Sequence, residues 1–495
     1  MVTQSGRAQK RIRAIAAAAA AALGLAGLAV ASSASAQPSV PAHGALTSLR
    51  YGAQTVAAGR RKQTSPIQHV VVLYLENHSF DNLLGFWCDQ NPSRCPDGGM
   101  PSSVKLSNGV VITPRNEPDK VPGVSHTVMS QQQAIDGGKM DGWQKIMGCQ
   151  PKDNYICVGG YQPSQIPNMT TLATNFAISD HMFSMGDSPS WGGHLYSVMA
   201  SLDGFTGDNP GPAKGVKPGP GWGCNSDRVT PWQPPTGPLE NVPSCIPDFN
   251  LGLPNGGAFR HTPVSNAPTI MDRLAQAGLP WQIYGQPTPI GNAGVGTGYV
   301  WDICPSIAEC LDTSQFNNNV PSDTFVNVAK AGNLPAFAIV TPGGKDAPFS
   351  EHNGFSMTAG DDWLGRVASA VMSGPEWNST ALFITWDDCG CFYDQVSPGT
   401  NPDGTPQGPR SPLIIVSPFA RPGFTDTTAT TFAGILRFVE NNFGLQALGP
   451  NDMNAYAFGN AFNFSQKPLK PARMINRKWP KDAYHVNMAE ARQDT

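Results

Sequence analysis

Several uninterrupted runs of apolar residues divide the chain into predicted β-strands. They cover His69–Glu76, Trp281–Gly285, Ala336–Thr341, Ala381–Asp387 and Leu413–Ser417. Apolar runs without polar alternation are typical of strands that helices cover on both faces. The sequence therefore predicts an α/β fold, a three-layer α/β/α sandwich built on a mostly parallel central sheet.

Helical periodicity appears in the intervals between these strands. Apolar residues recur at three- and four-residue spacing in Ala267–Ala277, Asp361–Met372 and Thr431–Phe443, and a glycine follows each segment within two residues. Glycine just beyond the last periodic residue is a common helix stop signal. We predict three helices, and their apolar stripes indicate packing against the sheet rather than a cofactor site.

The N-terminus has the pattern of an export signal. Four basic residues among the first 13 precede an uncharged run from Ala14 to Val30, and the small residues Ala34-Ser35-Ala36 follow. A retained membrane anchor is the alternative, but the run is short and only mildly apolar for a span of about 20 residues. We predict cleavage after residue 36 and a periplasmic or extracellular protein with no stable membrane span.

The rest of the chain reads as one large domain with flanking segments. Residues 37–66 are rich in Ala, Ser, Gly and Pro and form a predicted flexible leader. Residues 67–465 form the predicted domain, and residues 466–495 a C-terminal tail. The stretch of about 204–263 lacks a clear period and contains Cys224 and Cys245, so we expect a disulfide-pinned insertion there.

The charge balance restricts the partners. Removing the signal lowers Lys plus Arg from 33 to 29 against 36 acidic residues, and the formal charge moves from -3 to -7. A mildly acidic chain without a basic tract has no general affinity for nucleic acid or for anionic membranes. We therefore expect local recognition of a small substrate and no nucleic-acid partner.

Ten cysteines in an exported chain favour disulfides. Sequence neighbours suggest four pairs, and connectivity stays open at this point: Cys88 with Cys95, Cys149 with Cys157, Cys224 with Cys245, and Cys304 with Cys310. The fifth candidate, Cys389-Gly390-Cys391, would close a strained ring. Binding of a soft metal by this pair is the rival interpretation, and no second close Cys/His pair supports it.

Polar pairs follow two of the predicted strands. Glu76 ends the first strand and Asn77 follows it, while Asp387 and Asp388 stand at the end of the fourth. Either pair alone is most simply an ordinary turn. Adjacent carboxylates repel, however, and a hard or borderline cation would neutralise them. Two such strand ends in one chain favour a divalent metal ion, whose identity the sequence leaves open.

A Ser- and Gly-rich segment lies between these two strand ends. Ser188 and Ser190 flank Pro189, and Gly192-Gly193 would let the backbone approach a ligand closely. A hydroxyl beside a divalent ion loses its proton more readily and can attack phosphorus. A polar turn is the alternative for this segment taken by itself.

Four ordered motifs combine into a resemblance. They are ENHSFDNLLG, the Ser-x-x-x-His-Leu-Tyr element, TWDDCGCFYDQV and GPRSPLIIVSPFARPG, within a similarity that spans about residues 66–465. The chain resembles the secreted bacterial phosphoesterase family, which includes phospholipases C and an acid phosphatase branch. The resemblance implies an alkaline-phosphatase-like core and a metal-assisted hydrolysis of phosphoric esters.

The resemblance also implies roles for individual residues. Ser190 matches the family nucleophile, which lies four positions before the basic residue of the Leu-Tyr element, here His194. His194 is itself an expected catalytic residue, and Ser188 is the fallback for the nucleophile. His352 is the first choice for the general acid, and His126 is the second histidine that would hold phosphate oxygens or protonate the leaving alkoxide. The implied metal ligands are Glu76, Asn77, Ser190, Asp387 and Asp388.

Several positions depart from the family pattern. Asp388 replaces the usual Glu, Gly192-Gly193 replaces Pro-Asn, Cys391 replaces the second Gly of a Gly-Gly, and Gln395 replaces a His. These departures leave substrate preference and metal affinity open.

Four functions remain in competition. About 30 residues follow Phe464, whereas the phospholipase C branch often carries extra C-terminal β domains, so we expect an acid-phosphatase-like enzyme. The alternative is a phospholipase C that contacts lipid headgroups. A secreted non-catalytic binding protein would use Trp191, Trp222 and Trp232 as ligand platforms. A sulfatase or phosphonate hydrolase is disfavoured because the Cys/Ser-x-Pro-x-Arg signature is absent.

Overall fold

The computed structural model describes residues 65–253 and 262–485. The predicted signal segment and nearly all of the predicted leader lie outside these ranges. Eight strands of the described chain form the central sheet: β1 (His69–Leu75), β2 (Ala177–Ser179), β3 (Trp281–Gly285), β4 (Asn319–Pro321), β5 (Phe337–Val340), β6 (Thr380–Trp386), β7 (Leu413–Val416) and β8 (Thr425–Asp426).

The strands lie in the order β4-β3-β5-β1-β6-β7-β2-β8. Only β7 runs antiparallel to its two neighbours, β6 and β2; the other five pairings are parallel. Every residue of β6 and all but the first of β1 are buried, so both faces of the sheet are covered. The predicted α/β sandwich with a mostly parallel sheet is confirmed.

Ten helices surround the sheet within the described residues. Among them α3, α7 and α8 pack together, as do α4, α5 and α9. Their bounds are α1 (Phe80–Gln90), α2 (Val128–Ile135), α3 (Pro167–Asn175), α4 (Ser190–Met199), α5 (Ile270–Gln276), α6 (Ala308–Asp312), α7 (Phe325–Ala331), α8 (Met357–Ser373), α9 (Phe432–Phe443) and α10 (Pro450–Met453).

The three predicted helices are present as α5, α8 and α9. Helix α5 begins three residues later than expected, because Thr269 caps it: the Thr269 hydroxyl accepts from the Asp272 N–H, and the Asp272 carboxylate accepts from the Thr269 N–H. Helix α8 begins four residues earlier, at Met357, where the Ser356 hydroxyl accepts from the Ala359 N–H. The capping hydrogen bonds of Thr269 and Ser356 therefore explain where α5 and α8 begin.

Disulfides fix the loops. All four pairs suggested by sequence proximity are bonded, while Cys389 and Cys391 are buried thiols whose sulfurs lie 3.8 Å apart. The predicted insertion contains a three-stranded antiparallel sheet that the sequence pattern did not reveal; it comprises Gly211–Pro212, Arg228–Trp232 and Glu240–Pro243.

The C-terminal segment packs on the domain as far as it is described. The Arg477 guanidinium pairs with Asp361 and Asp362 of α8, at 2.8 Å in each case. The indole N–H of Trp479 donates to the same Asp362 carboxylate at 2.7 Å. Within the described ranges, no helix is long and apolar enough to cross a membrane.

Candidate active site

Two adjacent parallel strands deliver the first wall of the candidate site. In the register of β1 and β6, Leu75 lies opposite Trp386, so the residues that follow, Glu76 and Asp387, leave the sheet side by side. Asn77 then turns sharply, with a left-handed φ of 62°, and its backbone N–H donates to Asp387 Oδ1 at 2.9 Å. The two polar pairs predicted from separate strand ends therefore form one cluster.

Helix α4 supplies the second wall. Ser190 is its first residue, and its hydroxyl lies 3.1 Å from Glu76 Oε2 and 3.3 Å from Asn77 Oδ1. His194 follows one turn later, and its Nε2 lies 2.8 Å from Glu76 Oε1. Residues four apart share a helix face, so both side chains reach the same carboxylate. Ser188 lies instead against Gly192 and Gly207.

Glycines permit the close approach of these walls. A Cβ on Gly193 would lie 2.7 Å from the Asp387 carbonyl oxygen, which is closer than real Cβ atoms come. Gly390 has a φ of 52°, and a Cβ there would collide with the Asn77 carbonyl. Gly193 therefore has a steric role, because the helix carrying Ser190 packs directly on the backbone of the carboxylate turn.

The cluster concentrates negative charge in a buried place. Glu76, Asp387 and Asp388 are at most 4% exposed. Burial, together with the charges of Asp387 and Asp388, raises the pKa of Glu76 well above its usual value. Asp387 Oδ2 is buried and accepts no hydrogen bond. A divalent cation would satisfy this oxygen and neutralise the carboxylates.

The donor set therefore fits a metal ion. Ligand atoms of Glu76, His194 and Asp387 lie within 4.8 Å of one another. Asn77 Oδ1 is held on the same side by the Ser190 hydroxyl, and Asp388 Oδ1 accepts from the Gly390 N–H at 2.6 Å. The sequence assigned His194 to the reaction rather than to the metal, and this geometry adds it to the possible ligands.

Two further histidines point an unpaired nitrogen into buried space. His126 Nδ1 lies 2.9 Å from the Val124 carbonyl and His352 Nδ1 lies 3.1 Å from the Asn353 carbonyl, so each ring donates from Nδ1. Their Nε2 atoms have no hydrogen-bond partner among the residues that the structure describes. His126 Nε2 lies 4.0 Å from Asp388 Oδ2. Burial lowers the pKa of His352 to about 4, so that its Nε2 holds a lone pair at neutral pH.

Comparison with known proteins decides the family. The model of the phosphoesterase family matches residues 67–446. The chain belongs to the phosphoesterase family. The match includes both strand ends, helix α4 and both histidines of this site, so the cluster lies wholly inside the family region.

Curated relatives of this phosphoesterase include phospholipases C. The non-hemolytic phospholipase C of Pseudomonas aeruginosa is 24% identical over 485 residues, which cover 87% of this chain and 62% of that protein. The non-specific phospholipase C6 of Arabidopsis thaliana is 24% identical over 396 residues, which cover 74% of this chain and 65% of that protein. This chain thus spans less than two thirds of either relative.

Among solved structures, a protein of the alkaline phosphatase superfamily from Vibrio parahaemolyticus is similar over 59% of this chain and 64% of its own. Its TM-score is 0.30 and its sequence identity is 14%. The fold of the present phosphoesterase, an α/β sandwich, is established by the sheet and helices of this chain itself.

Three residues at the site escaped the sequence interpretation. The Tyr74 hydroxyl donates to the Gly193 carbonyl at 2.8 Å, which ties β1 to α4. Asn209 Oδ1 accepts from the backbone N–H of Trp191 at 2.9 Å and so supports the start of α4. The ring of Trp301 lies 5.3 Å from that of His352. In the sequence, Tyr74 is one residue of an apolar run, and that pattern indicates a strand and not a site.

Proposed function

We propose that this phosphoesterase is an exported, metal-dependent hydrolase of phosphate esters with Ser190 as its nucleophile. The observation that carries the proposal is the position of the Ser190 hydroxyl, 3.1 Å from Glu76 and 3.3 Å from Asn77, at the ends of two paired strands where three buried carboxylates cluster. Phosphoryl transfer requires chiefly such positioning and charge neutralisation.

The reaction proceeds in two displacements. The Ser190 oxygen attacks phosphorus while the bond from phosphorus to the ester oxygen breaks, which leaves a phosphoserine and an alcohol. Water then attacks the same phosphorus, the bond to Ser190 breaks, and phosphate leaves with the serine hydroxyl restored. Ser190 is the nucleophile of the first step and the leaving group of the second, so its position at the start of α4 serves both steps.

A divalent cation held by Glu76, Asn77, Asp387 and Asp388 would lower the pKa of the Ser190 hydroxyl and neutralise charge on the phosphoryl oxygens. The protein's own contribution is to place these oxygens together. Tyr74 and the two glycines Gly193 and Gly390 maintain the spacing, because the first links the walls by a hydrogen bond and the others admit their contact.

His352 is the proposed general acid, and His126 holds phosphate oxygens. Each ring is oriented by a backbone carbonyl at Nδ1, so proton exchange takes place at the unpaired Nε2. A phosphate dianion bound beside His352 favours its imidazolium form, since a nearby negative charge raises a histidine pKa. The proton then passes from His352 Nε2 to the departing alkoxide.

Two serine variants test this proposal. Turnover of p-nitrophenyl phosphate by Ser190→Ala should fall by about 10³-fold or more, since the covalent route is lost. Ser188→Ala is the matched control, because Ser188 is equally buried and lies two residues away without touching Glu76 or Asn77. Wild-type turnover in Ser190→Ala, or full activity of chelated metal-free protein, would overturn the proposal.

The substrate we favour is a phosphate monoester. The phospholipase C names of the relatives support a second candidate, the phosphodiester of a phospholipid headgroup. Release of phosphate from a monoester, compared with release of phosphocholine from lecithin, separates the two. The same catalytic residues serve both reactions, so Ser190→Ala should abolish either one and Ser188→Ala should abolish neither.

We also propose export followed by signal cleavage, with the boundaries given by the sequence. The four disulfides support an oxidising compartment. The N-terminal sequence of the secreted protein tests the boundary; a start near Gln37 is expected, and an intact Met1 in the exported protein would contradict it.

A further inference from the structure

A cavity of about 270 Å³ is lined by two residues, Asn209 and Val300, that connect it with the candidate site. One of its walls is Asn209, which accepts the backbone N–H of Trp191, the residue after Ser190. Another wall is Val300, directly before the Trp301 ring that lies against His352. One wall of the cavity therefore contacts the start of α4, next to the proposed nucleophile, and another immediately precedes in the chain the ring that packs against the proposed general acid.

The polar groups that line this cavity include a positive charge and hydrogen-bond donors without acceptors. The Arg228 side chain is half-buried. Among the described residues it makes one hydrogen bond, of 3.4 Å, from Nη1 to the Pro210 carbonyl, and it forms no ion pair. Its Nε and the Asn209 Nδ2 are buried donors without acceptors. No acidic side chain is found among the described residues of the lining. Unpaired buried donors and charge cost free energy unless a ligand supplies acceptors.

We propose that this cavity is the subsite for the alcohol part of the ester, and that Arg228 selects alcohols that carry a second anionic oxygen group, a carboxylate or a phosphate. The inference rests on the proposed function. A guanidinium matches the two oxygens of such a group. A quaternary ammonium headgroup would instead meet a positive charge with no carboxylate in the described lining to offset it.

The test measures kcat/KM of the metal-loaded full chain on three monoesters: 3-phosphoglycerate, glycerol 3-phosphate and phosphocholine. We expect at least a tenfold preference for 3-phosphoglycerate over phosphocholine. Arg228→Gln should lower kcat/KM for 3-phosphoglycerate by about 10- to 100-fold, the range for a lost hydrogen bond to a charged group, and should leave glycerol 3-phosphate within about twofold. Arg228→Lys should retain part of the preference, and Arg228→Glu should reverse it.

Arg273→Gln is the matched control. Arg273 is also half-buried, with an unpaired buried Nε and one hydrogen bond to a carbonyl, that of Ala447, but it lies outside the cavity. The three substrates should keep their ranking in this variant. Circular dichroism of each variant separates a folding defect from a change in selectivity.

The subsite would be overturned if the wild type had equal kcat/KM on the three substrates, or if folded Arg228→Gln lost kcat/KM equally on all three. Either result would leave the proposed function intact. If none of the esters is hydrolysed, the proposed function fails, and calorimetric titration with 3-phosphoglycerate and phosphocholine decides the subsite. Binding of 3-phosphoglycerate that Arg228→Gln abolishes would support it, and binding that is absent or unchanged in the variant would overturn it.

Discussion

Gly193→Ala is the substitution that most sharply tests how the two walls of the site fit together. A methyl group there would lie 2.7 Å from the Asp387 carbonyl oxygen and 3.2 Å from Asp387 Cβ. Ordinary contacts begin near 3.4 Å, so α4 and the carboxylate turn must separate by about 0.7 Å. Overpacking of this kind costs about 1–3 kcal/mol of folding free energy.

The effect on catalysis should exceed the effect on folding. The same shift moves Ser190 and His194 away from Glu76, and a displacement near 1 Å can cost about 10²-fold in rate. We therefore expect kcat for p-nitrophenyl phosphate to fall by about 10²-fold, together with weaker metal binding. Steady-state kinetics, metal titration and thermal unfolding of the same preparation measure the three effects.

Gly434→Ala provides the control. Gly434 lies in α9, and a Cβ there would collide with Thr430 Oγ1 and lie 2.5 Å from the Tyr456 carbonyl oxygen. The steric clash is similar, but it involves none of the residues placed at the site. This variant should lose comparable stability and retain its kcat. A folded Gly193→Ala with wild-type kcat and metal affinity would refute the fit described for the two walls.

Three further predictions concern other parts of the molecule. His352→Gln should reduce kcat for an alkyl phosphate by about 10²- to 10⁴-fold and for p-nitrophenyl phosphate much less, because only the poor leaving group needs a proton; equal losses would argue against a general acid. The carboxylate of buried Glu117 accepts no hydrogen bond from the residues that the structure describes, and burial raises its pKa to about 8 although the charge of Arg115 opposes the shift. The folded state therefore holds the Glu117 proton more tightly than the unfolded state, and the free energy of unfolding should fall as pH rises from about 4.5 to 8. The melting temperature of Glu117→Gln should decline less than that of the wild type over this range. An equal decline in both proteins would contradict the raised pKa of Glu117. Joint replacement of Cys224 and Cys245, which are 21 residues apart, by Ser should cost about 3 kcal/mol, seen in urea unfolding, and should weaken the selectivity attributed to Arg228 more than turnover.

The sequence predicted the elements whose pattern is strong. The runs at β1 and β6 are uninterrupted and apolar, and the polar pairs that follow them are read directly from the chain. Their adjacency required the sheet order, since 310 residues separate Asn77 from its hydrogen-bond acceptor Asp387. The short strands β2 and β4 have only three residues each, too few for a period to appear.

The sequence did not predict helix α4 because its first turn contains Gly192-Gly193, which disfavours a helix in isolation. The structure explains these glycines by the contact with Asp387. The histidines His126 and His352 were found through family resemblance, since a single loop histidine has no periodic signal. The nearby Trp301 belongs to a short 3-10 turn and could be connected with His352 only in three dimensions.

Chemical trapping of the intermediate tests the central claim most directly. The metal-loaded protein would be mixed with a phosphate ester, quenched in acid within milliseconds and digested for mass spectrometry. The account predicts one added phosphoryl group on Ser190 in the wild type and in Ser188→Ala, and none in Ser190→Ala. Absence of the adduct under conditions of rapid turnover, or a phosphoryl group on Ser188 or another residue, would contradict it.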